Sequence, residues 1–100
     1  MIYITQLIYI KPGKEAIFDQ FESVALPLIA KYNGKLLLRV RPGDDAFIES
    51  SIEEPYEIHF VQFNEDDNLK AFMLDEERKQ FLHLKEEAIR SVLLVKGQKL

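Results

Sequence analysis

Ile2-Tyr3-Ile4-Thr5-Gln6-Leu7-Ile8-Tyr9-Ile10 is the stretch that decides the fold. β-Branched and aromatic residues dominate it and Lys11-Pro12-Gly13 closes it, so residues 2–10 read as a strand. One face carries Ile2, Ile4, Gln6, Ile8 and Ile10, and the other carries Tyr3, Thr5, Leu7 and Tyr9. Both faces are largely apolar, which predicts that both are covered. One layer of helices covers only one of them. In a chain of 100 residues, a second subunit is the simplest cover for the other.

The segments around this strand supply the rest of the plan. Ile17, Phe18, Phe21, Val24, Ala25, Leu28, Ile29 and Tyr32 recur at helical spacing, which predicts a helix over 14–32. Asp19, Gln20, Glu22 and Lys31 fall largely off that stripe. Pro27 removes a backbone donor and predicts a kink near Val24 to Leu26. Asn33-Gly34 is a stop in which one residue takes the left-handed conformation. Residues 35–41 read as a second strand, with Leu36, Leu38 and Val40 toward the helices and Lys35, Leu37, Arg39 and Arg41 on the opposite face. Residues 42–54 form an acidic connection, read either as a functional loop or as a solvated turn with a short hairpin extension. Residues 55–63 read as the third strand. Asn64 is placed as the cap of a helix over 65–74, and Asp75 as the cap of another over 76–88. Residues 89–96 read as the last strand.

The order strand, helix, strand, strand, helices, strand is the split βαβ plan. It predicts an α+β, ferredoxin-like fold: a four-stranded antiparallel sheet with helices on one face. The other face, with Tyr3, Leu7 and Leu37, is too apolar to be left in water as one patch. A homodimer paired through this sheet face follows.

Length and composition narrow the classes. One domain over residues 1–100 is expected. The hydrophobic fraction of 47% suits a folded core, and the net charge of −4, with Lys and Arg scattered, argues against binding nucleic acid. The absence of cysteine excludes disulfides, thiolate catalysis and cysteine-based zinc sites. The N-terminal run lacks a basic leader and a small-residue cleavage site, and no segment approaches the roughly 18 uncharged apolar residues of a membrane span. A cytoplasmic protein with no membrane partner is the expectation.

Lys11-Pro12-Gly13-Lys14-Glu15, followed by Phe18 and Phe21, resembles the first strand–helix junction of antibiotic-biosynthesis-monooxygenase-like domains. Leu28-Ile29-Ala30-Lys31-Tyr32-Asn33-Gly34-Lys35, with Leu36, Leu38 and Arg39, resembles a sister family of unknown function, as do Phe63 and Ala71-Phe72. Both belong to the dimeric α+β barrel superfamily. The resemblance covers nearly the whole chain apart from 42–54, and its motifs are structural. It implies two sheets stacked face to face, with a pocket in each subunit between sheet and helices or near the dimer seam. Its members include cofactor-free monooxygenases of polycyclic aromatics, haem-degrading enzymes, muconolactone isomerases and dye-decolourising peroxidases, so fold alone does not settle activity.

Candidate site residues each carry two readings. Arg39, and with it Arg41, binds a carboxylate or enolate through paired donors, or forms a salt bridge at the dimer seam or the sheet edge. His59 is a general base, or a satisfied core or interface histidine sharing a face with Glu57, Val61 and Phe63. Gln62 shares the opposite face with Tyr56, Ile58 and Phe60. The sister family often carries an acid at this position, whereas Gln62 donates hydrogen bonds but cannot act as a base. Tyr3 and Thr5 orient a ligand or pack at the seam, and Tyr9 is assigned to packing. His83 is read as an exposed helical residue, although haem-binding members use a helical histidine. No metal and no cofactor is expected. The functional reading is a small-molecule-binding homodimer, a cofactor-free monooxygenase or isomerase acting on a small aromatic or carboxylated metabolite. The alternative is a non-catalytic binding or assembly module.

Overall fold

The first strand is an inner strand of a four-stranded sheet. The computed structural model describes residues 1–100. Strand β1 (Ile2–Ile10) is followed by helix α1 (Glu15–Leu28), strand β2 (Gly34–Val40), strand β3 (Glu57–Phe63), helices α2 (Asp66–Met73), α3 (Glu76–Gln80) and α4 (Leu82–Ala88), and strand β4 (Ile89–Gly97). The strands lie in the order β2-β3-β1-β4, every pair antiparallel. This is the ferredoxin-like α+β plan, and no helix is long and apolar enough to cross a membrane.

The core lies between the helices and one sheet face. Ile4, Val61 and Phe63 pack with Ile29 and Leu69. Ile8 packs with Phe18 and Ala88, and Phe21 and Ala25 pack with Leu84. Strand β3 alternates strictly, with Glu57, His59, Val61 and Phe63 buried and Ile58, Phe60 and Gln62 partly exposed on the other face. That alternation orients every polar group discussed below.

Helix α1 contains Pro27 in its last turn and tightens into a 3₁₀ turn at Ile29–Tyr32. Asn33 then takes the left-handed conformation, φ 59°. Gly34 follows where a Cβ would come within 2.6 Å of both Ile29 and Phe63, so only glycine allows the chain to enter β2 this close to the core. Two boundaries differ from the expectation. Glu65, rather than Asn64, caps α2, with the Asn68 side chain accepting from the Glu65 N–H at 3.1 Å. The helical region 76–88 breaks at Phe81 into α3 and α4. Asp75 caps α3 as expected, accepting from the Arg78 N–H at 2.9 Å.

One feature redirects the site. Against β3, Leu36 is opposite Val61 while Leu38 is opposite Phe60, so the register shifts between them. Leu37 is the extra residue of a β-bulge, and a bulge re-aims the side chains that follow it. Leu38 and Val40 therefore lie on the outer face, both exposed. Arg39 lies opposite His59, on the helix side. The expected facing of β2 is thus inverted from Leu38 onward, and Arg39 and Arg41 belong to the helix side of the sheet.

Candidate active site between sheet and helices

A cavity of about 210 Å³ lies between the helix side of the sheet and the helices, and fourteen of its nineteen lining residues are hydrophobic. Strands supply Gln6 and His59, α1 supplies Glu22, α3 supplies Arg78 and α4 supplies Lys85. Glu22 follows Phe18 by four residues and precedes Ala25 by three, which turns it inward. It is only 6% exposed. This corrects the expectation that it falls off the buried stripe.

Two polar groupings lie at this cavity: the first reaches its wall only through His59, its other members lining a separate open pocket, and the second reaches it through Glu22, Arg78 and Lys85. The first centres on Glu57, whose residue is 0% exposed. Its carboxylate accepts from Arg39 Nε at 3.0 Å, from Arg41 Nε at 2.6 Å and from His59 Nε2. Asp19 of α1 takes Arg41 Nη2 and lies 3.8 Å from Arg39 Nη2. The Arg41 guanidinium lies 5.0 Å from the centre of the Tyr56 ring. Two carboxylates and two guanidiniums thus balance. Burial pushes Glu57 up, but the hydrogen bonds from Arg39, His59 and Arg41 outweigh it and hold its carboxyl below the ordinary range. Burial pushes His59 down, against the pull of Glu57, so at neutral pH it is an uncharged imidazole. With Nε2–H given to Glu57, its Nδ1 is left as an acceptor.

The second grouping is Glu22, Arg78 and Lys85. None of the three takes part in an ion pair within 4.0 Å. Burial, with the nearby charge of Glu57, pushes Glu22 up to about 7, against the lowering pull of Arg39, Arg78 and Lys85. Arg78 is 7% exposed and lies 5.8 Å from the Phe21 ring centre and 5.2 Å from that of Phe72. Its Nη1 donates to the Met73 carbonyl at 3.2 Å, and its Nε is a buried donor with no partner. Sequence reasoning missed this grouping. The spacing of Glu22 within the apolar stripe was a usable signal. Arg78 lies in the charged run Asp75-Glu76-Glu77-Arg78-Lys79, which reads as solvated from sequence.

The remaining candidates lie elsewhere. Tyr3, Thr5 and Gln62 line an open groove of about 530 Å³ on the outer sheet face with Leu37, Phe60 and Val95, where Tyr3 stacks on Phe60 at 5.7 Å between centroids. Tyr9 is buried beneath the 42–56 connection, its hydroxyl donating to the Glu53 carbonyl at 2.8 Å. His83 is exposed on α4. No group of three or more His, Asp or Glu side chains converges as metal ligands would.

No protein-family model matches the sequence, and no curated protein sequence matches it. Solved structures do. A protein of unknown function from Rhodopseudomonas palustris is 11% identical with a TM-score of 0.82, over 99% of this chain and 82% of that one. A protein from Bacteroides fragilis, described as dimeric, of unknown function and ferredoxin-like, is 13% identical with a TM-score of 0.70, over 98% and 95%. A dimeric ferredoxin-like protein of unknown function from Jannaschia is 14% identical with a TM-score of 0.71, over 98% of each chain. These likenesses establish the ferredoxin-like fold.

Proposed function

We propose that this chain binds a small, mostly apolar molecule in the cavity between sheet and helices and moves a proton on it without a cofactor. One observation carries the reading: Glu22, a buried carboxyl poised at about 7 with no partner in the chain, stands on the cavity wall. A group whose pKa lies near the operating pH is present in both forms and serves as acid and as base. An apolar cavity of about 150 Å³ holds one benzene, so this one suits a ring with a short substituent. Glu22 takes a proton from an activated C–H or O–H of the ligand, leaving an enolate or phenolate. Return of the proton to a different carbon is isomerisation, and reaction of the carbanion with dioxygen is cofactor-free oxygenation. Both are among the several activities found in the superfamily that the sequence resembles. His59 on the same wall offers Nδ1 as a second acceptor. Arg39 and Arg41 act as positioning residues that hold Glu57, and through it His59.

The test is deuterium exchange in D₂O with two small enolisable ketones, neutral phenylacetone and anionic 2-oxobutyrate, followed by NMR. Exchange of at least one above the buffer rate is expected. It should fall roughly 10²–10⁴-fold in Glu22→Gln, the usual contribution of a positioned acid or base. Exchange at the buffer rate for both, or undiminished in Glu22→Gln, overturns the reading.

The outer sheet face supports the homodimer. Leu37, Leu38, Val40, Leu93 and Val95 are all exposed there, and two structural neighbours are described as dimeric. A second copy of the face covers these side chains, stacks the two sheets as a barrel, and places Tyr3, Thr5 and Gln62 at the seam. Sizing chromatography checks this. The wild-type chain should elute at a dimer's mass and Leu93→Glu at a monomer's, while a wild-type monomer at micromolar concentration removes the dimer.

A further inference from the structure

Charge is unevenly matched around the cavity. At the sheet end, Arg39 and Arg41 are matched by Glu57 and Asp19 within hydrogen-bonding or ion-pair distance. At the helix end, Arg78 and Lys85 share the cavity wall with Glu22, and neither forms an ion pair, although Asp75 acts on the charge of Arg78 and Glu86 on that of Lys85 from farther off. Arginine stays protonated in such surroundings, so the cavity wall at the helix end carries a fixed positive charge that no carboxylate pairs within 4.0 Å. The Arg78 Nε–H is the single buried side-chain polar atom of the chain that lacks a hydrogen-bond partner. Leaving a buried donor unmade is costly, and each such orphan in a folded chain calls for an explanation. An anionic ligand atom that accepts from it also gives the guanidinium the close carboxylate it lacks.

We infer that the ligand of this cavity is a small carboxylate, its carboxyl group anchored on the free Nε–H of Arg78 with Lys85 beside it and its apolar body against the hydrophobic wall. This rests on the cavity being a ligand site, as proposed above. Phe21 and Phe72 flank the guanidinium and restrict its approach to the ligand to its edge, where the donors point. Lys85 is held below its ordinary pKa by burial and by the charge of Arg78, and the charge of an incoming anion opposes both by favouring the ammonium form. The carboxylate is thereby oriented at α3 and α4, and the carbon next to it is turned toward Glu22 of α1.

The experiment compares isosteric pairs by calorimetry on the full chain: benzoate against benzamide, and hexanoate against hexanamide. In at least one pair the carboxylate should bind tenfold or more tighter than the amide, as expected when a buried charged donor gains a charged acceptor. Raising the chloride concentration should narrow the gap. Arg78→Met should abolish the preference. Lys85→Met, at a half-exposed position, gives a second variant and should reduce the preference without abolishing it. Amides that bind as tightly as carboxylates in the wild type, or a preference that survives Arg78→Met, overturn the anion anchor while leaving the ligand cavity standing. Binding of none of the four probes overturns both.

Discussion

The two polar groupings around the cavity are built from the same residue types and behave as opposites. At the sheet end, Glu57 is fully buried yet accepts three hydrogen bonds, and its neighbours leave no net charge. At the helix end, Glu22 is almost as buried and accepts none, beside an arginine with an idle donor. A buried charge that is paired and hydrogen-bonded is part of the framework. One that is neither costs stability and persists where another demand keeps it. The difference separates a scaffold from a reactive site within a few residues.

The most forceful way to break this contrast is Glu22→Gln. The carboxyl is pushed from its ordinary 4.5 to about 7 in the folded chain, so the folded state holds the proton more tightly than the unfolded one. The stability present below pH 4.5 is lost as pH rises through about 7 and then stays lost. At about 1.4 kcal/mol per pH unit, that span is worth about 3 kcal/mol. Glutamine does not titrate. Urea titrations at pH 4 and pH 8 should therefore show the variant gaining about 3 kcal/mol on the wild type between the two. Parallel pH profiles for the two proteins would mean that Glu22 is solvated and ordinary.

How much of this was legible beforehand follows from where periodicity survives. Strand β1 announces itself because isoleucine and tyrosine fill alternate positions, and its two apolar faces carry the whole argument for a covered sheet. Strand β3 alternates cleanly, so His59 falls on the face of Glu57 as read. Strand β2 hides its bulge. Leu36-Leu37-Leu38 places three leucines in a row, and a run of identical residues carries no phase. Alternation continued past Leu37 puts the arginines beyond it on the outer face, and the bulge at Leu37 interrupts that alternation. Glu22 is legible in principle, since a carboxylate lies within the apolar repeat of α1, but Arg78 and Lys85, which share its cavity, come from α3 and α4, which only the folded chain brings near. Tertiary proximity, unlike periodicity, leaves no local trace.

The contrast is sharpened from the other side by Glu57→Gln, which should act in the opposite sense and more weakly. Removing one partner of a buried ion pair leaves the others uncompensated, at about 3–5 kcal/mol where all are enclosed. Here the Arg39 and Arg41 side chains are 35% and 42% exposed, and water takes over part of their solvation. A loss of about 2 kcal/mol at pH 7 is therefore expected in urea. The sign with pH is also reversed. Glu57 is held below its ordinary 4.5, so its contribution is present above that pH and fades as acid protonates it in the folded chain. The wild type and Glu57→Gln should converge in stability as the pH falls below 4.5 and the folded carboxyl takes up its proton, whereas the difference between the wild type and Glu22→Gln opens between pH 4 and pH 8. Two buried glutamates on neighbouring elements would then titrate stability in opposite directions, because one is surrounded by donors and the other is kept from them. A Glu57→Gln variant within about 0.5 kcal/mol of the wild type at pH 7, the range of an ordinary surface substitution, would show that the arginines are held by Asp19 and solvent alone, and the sheet end would lose its standing as the framework.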